Sequence, residues 1–130
     1  MRRKRYPWHA LLAGAKARSK KDGITFDLTA AWAKSVWTGR CSLTGISFKT
    51  EYRSGPSMFS PSIDKIEPML GYVQSNCRFV LWAVNAMKNT GTDDDMYLIA
   101  SLLLKHRVIS RHHKSSASTS EQAPSQLVVG

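Results

Sequence analysis

Apolar positions recur at helical spacing in three stretches of the chain. Trp8, Leu11, Leu12 and Ala15 follow Pro7, a residue suited to the first turn of a helix. They predict a helix that ends in the Lys20-Lys21-Asp22-Gly23 run, with Gly23 as its cap. Ala30, Trp32, Ala33 and Val36 predict a second helix, capped by Thr29 and ended by Gly39. Tyr97, Ile99, Ala100, Leu103 and Leu104 predict a third, over residues 96 to 107. Thr92 and the run Asp93-Asp94-Asp95 give that helix its start, because carboxylates are favoured at the positive end of the helix dipole.

The middle of the chain lacks this period. Ile24-Thr25-Phe26 reads as a short extended piece, and residues 41–48 as a hairpin-like element turning at Thr44-Gly45. Residues 50–61 are a Ser-, Gly- and Pro-rich loop. Residues 62–66 predict a short strand with Ile63 and Ile66 partly inward. After a loop at 69–72, Phe79-Val80-Leu81 leads into a helix over 82–88. From Ser110 the chain is polar and Ser-rich, which predicts disorder. The reading is an α+β domain over residues 1–109 followed by a disordered tail over 110–130.

Charge adds a partner to this outline. The 19 Lys and Arg exceed the 9 Asp and Glu, for a net charge of +10. Residues 1–40 hold ten of the basic residues and only two Asp. Such an excess attracts a polyanion, and a nucleic-acid backbone is the obvious one. Arg2, Arg3, Lys4, Arg5, Lys16, Arg18, Lys20 and Lys21 are the candidate backbone contacts, with Arg78 closer to the centre. The plainer reading is a basic, solubilising terminus. No apolar run approaches a membrane span. Two cysteines, Cys41 and Cys77, are too few for a disulfide framework, so a reducing, intracellular setting is expected.

The candidate chemistry lies in the predicted strand. Asp64 is followed by Lys65 and Glu67, and Asn85, Lys88 and Asn89 share one face of the helix over 82–88. If that helix crosses the strands, Asp64 and Asn85 converge. A carboxylate and an amide oxygen are hard ligands that suit Mg2+ or Mn2+ when a substrate phosphate completes the shell. Taken alone, Asp and Asn in a loop-rich segment more often cap helices and close turns.

The segment from Ser62 to Lys88 resembles the core of the HNH, or ββα-metal, nucleases. Asp64 matches their strand metal ligand, and Asn76 the Asn that holds the intervening loop together. Asn85, nine residues later, matches the helix metal ligand, and Lys88 the trailing Lys. Gly71-Tyr72 and Cys41-Ser42-Leu43-Thr44-Gly45 look like signatures of a phage-type branch, which implies a phage or prophage protein. The resemblance covers roughly residues 7–90. It implies a ββα-metal core, a divalent cation on Asp64 and Asn85, and a DNA substrate.

Two positions depart from the family pattern. Its zinc knuckle would need thiolates where Thr44, Leu81 and Val84 stand, so no structural zinc is expected and an apolar contact should replace it. The family's general-base His is replaced by Lys65, and an ammonium group has no lone pair with which to take a proton. Lys65 is therefore expected to bind a phosphate oxygen or stabilise the transition state, with Glu67, or a guess at His9, as substitute base. The leading reading is a metal-dependent DNA endonuclease. The alternatives are a weak or inactive DNA-binding protein on the same scaffold, and a small basic RNA- or protein-binding chain. A branched DNA substrate would require two active sites and hence a homodimer, for which the helix over 96–107 offers a surface.

Overall fold

A computed structural model describes residues 6–51, 55 and 57–117 of the chain. Arg2, Arg3, Lys4 and Arg5 lie outside the described residues, as do residues 118–130 of the expected tail. The chain divides into two compact units, one ending at Asp93 and the other beginning at Asp94.

The first unit opens with helix α1, Trp8–Asp22. Pro7 precedes it, and Gly23 ends it with φ 66°, its N–H bonded to the Ser19 carbonyl. Helix α2, Ala30–Val36, is capped by Thr29, whose hydroxyl accepts from the Trp32 N–H at 3.0 Å. This helix stops before the expected Gly39. Trp37 leaves it in extended backbone, and its ring packs on Phe48 and edge-on to Phe79, so a core contact ends the helix. The turn after it closes through Gly45 N–H to Cys41 O at 2.8 Å, with an antiparallel bridge between Arg40 and Ser47.

Strands β1, Pro61–Lys65, and β2, Cys77–Leu81, form an antiparallel hairpin in which Ser62 faces Val80, Asp64 faces Arg78 and Lys65 faces Cys77. Helix α3, Trp82–Lys88, follows β2 directly. The strands are joined by two single turns of 3-10 helix, Pro68–Leu70 and Gln74–Asn76.

Two apolar clusters hold this unit. The larger gathers Trp8, Ala15, Leu28, Trp32, Ala33, Ile63, Tyr72, Cys77 and Phe79. It clamps α1 and α2 to one face of the hairpin, with Trp32 stacked on Phe79. The smaller joins buried Cys41, Val80 and Leu81 to Leu43, Phe48 and Val84. Leu81 and Val84 thus pack with Cys41 where a zinc knuckle would place thiolates. Burial raises the Cys41 pKa, but hydrogen bonds from the Thr44 side chain and from the backbone of Leu81, Leu43 and Thr44 outweigh it and leave it below its ordinary value.

The second unit contains the greater part of helix α4, Asp93–Ala117. The helix runs past Arg107, its expected end, and through Ser110 to Ala117. The physical reason is the absence of a breaker: no Gly or Pro occurs between Asp93 and Ala117. The polar composition that predicts disorder from Ser110 does not by itself interrupt a helix. No helix among the described residues is long and apolar enough to cross a membrane.

Candidate active site

Strand alternation sends Ser62 and Asp64 to one face of β1, and Ile63 and Lys65 to the other. Ile63 anchors the strand in the larger core. Helix α3 lies across the Ser62 and Asp64 face. Asn85 donates from Nδ2 to Ser62 Oγ at 2.8 Å and to the Ile63 carbonyl at 3.1 Å. One turn later Lys88 donates from Nζ to Asp64 Oδ2 at 3.2 Å and to the carbonyls of Lys65 and Ile66 at 2.7 and 2.8 Å. The hairpin register sets Arg78 beside Asp64, and its Nε donates to Asp64 Oδ2 at 2.9 Å.

The cluster extends to Asp93. Its Oδ1 lies 2.6 Å from Arg78 NH2 and 3.0 Å from Lys88 Nζ. Two carboxylates and two cations therefore cancel in one cluster, in which the Lys88 and Asp64 side chains are 1% and 3% exposed. Burial alone would raise the Asp93 pKa, but hydrogen bonds and charge from Arg78 and Lys88 outweigh it and hold the carboxyl below its usual value. Burial likewise disfavours the charged Arg78, but Asp93 and Asp64 more than compensate and raise its pKa.

The other face of β1 carries a different arrangement. Lys65 Nζ stands 4.8 Å from the centroid of the Tyr72 ring. Arg18 of α1 donates from Nε to the Tyr72 hydroxyl at 3.1 Å, its guanidinium 5.8 Å from the same centroid. Neither cation pairs with a carboxylate among the described residues.

Tyr72 is held firmly. Its N–H bonds to Thr25 O, and its carbonyl accepts from Asp27 N–H, both at 2.9 Å. Gly71 before it has φ 79°, and a Cβ there would stand 3.0 Å from both Thr25 O and Ile24 Cγ2. Only glycine admits that close approach in this backbone region. Asn76, 4% exposed, ties down the preceding loop. Its Oδ1 accepts from Glu67 N–H, and its Nδ2 donates to the carbonyls of Glu67 and Gly71, all at 2.9 Å.

A cleft of about 620 Å³ lies between α1 and α3. Its lining includes Arg18, Asp64, Lys65, Tyr72, Trp82 and Asn85. Among the candidates named from sequence, Glu67, Arg78 and Lys88 do not line it, nor do Lys16, Lys20 and Lys21, which are exposed on α1. The Glu67 side chain is exposed, and exposed His9 rests against the rings of Trp8 and Tyr6. Lys88 and Arg78 are committed to Asp64 and Asp93. Cys77 is no nucleophile: burial first, and the charge of Asp64 second, push its thiol up to about 12. Sequence reasoning did not find the Asp93 link or the Arg18–Tyr72 bond. The first depends on the register that sets Arg78 beside Asp64, and the second spans 54 residues; neither has a local signal.

The donor set fits a hard divalent cation in part. Asn85 spends its side-chain N–H groups on β1, which leaves its side-chain oxygen Oδ1 without a hydrogen bond among the described residues. Asp64 retains acceptor capacity at Oδ1, which meets only Lys88 among the described residues. Among the described residues, no group of three or more His, Cys, Asp or Glu could hold a metal ion. Because the cluster around Asp64 is neutral, the residues supply oxygen ligands but little net charge. A cation there is held well only together with an anionic substrate.

The chain matches no protein-family model and no curated protein sequence. Among solved structures it is similar to the rare-cutting HNH restriction endonuclease PacI, with a TM-score of 0.51 and 20% identity over 82% of this chain and 79% of that one. At that identity the likeness is one of fold. This chain has an α+β fold, a small antiparallel hairpin with flanking helices, similar to that of an HNH endonuclease.

Proposed function

We propose that the protein is a nuclease that hydrolyses DNA phosphodiester bonds in the cleft between α1 and α3. The observation that carries this reading is the meeting, in one cleft, of two oxygen-bearing side chains, Asp64 and Asn85, with two cations, Arg18 and Lys65, that have no carboxylate partner among the described residues. Asp64 and Asn85 would hold one Mg2+ or Mn2+. When bound, that ion supplies Lewis-acid polarisation of the scissile phosphate and stabilises the leaving oxygen. Arg18 and Lys65 bind phosphate oxygens, a charge-assisted contact made without breaking an existing ion pair. Asn85 is oriented by Ser62 and Ile63, so its carbonyl stays aimed without rearrangement. Exposed Lys16, Lys20 and Lys21 hold the flanking backbone and carry little sequence information.

The neutral setting of Asp64, and the absence of His from the cleft lining among the described residues, favour a second reading: a DNA-binding protein on the same scaffold with little or no cleavage. Plasmid nicking with Mg2+ and with Mn2+ separates the two. Nicking by the parent chain, lost in Asn85→Ala and Asp64→Asn while both still fold by circular dichroism, supports the nuclease. Unchanged nicking in folded Asp64→Asn sinks the site assignment. Tight, salt-sensitive binding without any cleavage supports the second reading.

A further inference from the structure

Helix α4 presents apolar side chains to solvent in an organised way. Leu98, Ile99, Leu102, Leu103 and Ile109 are each about half exposed or more. At 3.6 residues per turn these five fall on one side of the helix, within an arc of roughly 140°. His106 and Ser110 share that arc and are joined by a 3.4 Å contact between Ser110 Oγ and His106 Nε2. Scattered exposed leucines are ordinary on a protein surface, but five aliphatic side chains aligned along one helix mark an interaction face.

The charges along the same helix say what covers it. Its first turn carries Asp93, Asp94 and Asp95, and no Lys or Arg occurs before Lys105. From Lys105 on the sequence is basic, with Arg107, Arg111 and Lys114 and no carboxylate before Glu121. The helix dipole favours this segregation within one helix. It also makes the helix complementary to a reversed copy of itself. In an antiparallel pair the acidic start of each copy faces the basic end of the other. In a parallel pair, acid meets acid and base meets base. Nucleic acid is a poor occupant for the same side, because that side is aliphatic and its only charged residue at the acidic start is Asp95.

We infer that a second copy of this chain covers the Leu98, Leu102 and Ile109 side of α4 by antiparallel pairing of the two helices. The contact is isologous: the same side serves both copies, with the two-fold axis near the middle of the arc, at Leu102 and Leu103. Leucines fill the centre and opposite charges fix the direction. This role is independent of the cleft and of its proposed chemistry.

Sedimentation equilibrium of the full chain tests it. A dimer is expected that weakens at least about tenfold in Leu102→Glu, where burying a charge opposes association. Helical content by circular dichroism should stay at the parent level. Asp95→Lys, within the arc, and Arg107→Glu, at its border, should each weaken the dimer several-fold at low salt. The double variant should recover most of the loss, because the reversed charges meet again only in the antiparallel arrangement. A full chain that stays monomeric at ~100 µM overturns the inference, since an interface of this kind should be populated there. A dimer indifferent to Leu102→Glu overturns it too, as does a double variant weaker than either single one. A monomer that becomes a dimer when the chain is ended at Ala117 would show that residues 118–130 cover the face instead, and that also refutes it.

Discussion

Two pairs of cations flank strand β1, and they do opposite work. Arg78 and Lys88, on the Asp64 side, are matched one for one by Asp64 and Asp93, and Lys88 and Asp64 are almost wholly buried. Arg18 and Lys65 share the Tyr72 ring, line the cleft, and have no carboxylate partner among the described residues. The same residue types are structural where their charge is cancelled inside the fold and available where it is not. A nucleic-acid phosphate can bring its charge only to the second pair without displacing a carboxylate.

The largest expected contrast is in stability. Lys88→Met removes a buried cation held by oxygens of four residues and leaves Asp64 facing Arg78 alone. The loss should be about 3–5 kcal/mol, as for other buried pairs broken on one side. Lys65→Met, on the available side, should change stability by no more than about 0.5 kcal/mol. Urea unfolding of the two variants measures both, and equal losses would erase the distinction between the pairs.

Binding should show the reverse order. Lys65→Ala and Arg18→Ala should each lower affinity for a short DNA duplex. Each phosphate that a variant no longer neutralises should reduce the slope of log K against log salt by about one. Lys88→Met, in whatever fraction remains folded, should leave that slope at the parent value. Fluorescence anisotropy in EDTA reads this without any metal. Tyr72→Phe is a finer probe. It keeps the ring beneath Lys65 and removes the hydroxyl that holds Arg18, at a cost of about 1 kcal/mol in stability. Its effect on DNA affinity should be smaller than that of Arg18→Ala.

Much of the architecture was legible in the chain because its signals are local. Helices α1 and α2 follow from apolar spacing and from caps at Thr29 and Gly23, and apolar spacing together with Asp93 to Asp95 announces α4. The hairpin follows from turn residues and a short apolar run. What was hidden is long-range. The hairpin register sets Arg78 against Asp64, so a residue expected at the DNA surface sits in an ion cluster. Asp93 looks like a helix start and is one, but it also closes that cluster. The Arg18–Tyr72 bond depends on α1 packing across the hairpin, and no spacing rule connects residues so far apart. Helix α4 outruns its expected end because serine content signals polarity, whereas a helix ends at a breaker or a cap.

The acid side of the stability curve offers the smallest and most selective test of the two pairs. The folded state holds Asp93 below its ordinary value of 3.8, because Arg78 and Lys88 favour the charged carboxylate despite its partial burial. A depressed folded pKa means that the unfolded chain binds the proton first as pH falls. The stability it contributes is therefore complete above the unfolded value and is lost as pH drops from there through the folded value. Arg78 and Lys88, whose hydrogen bonds and charge lower the Asp93 value, set the size of the effect. Asp93→Asn should remove this component, giving a flatter acid limb and lower stability at neutral pH. Arg18→Ala and Lys65→Ala should leave the limb unchanged, since neither cation meets a carboxylate among the described residues. An acid limb equally altered by Lys65→Ala would mean that the two sides of β1 share their charges after all.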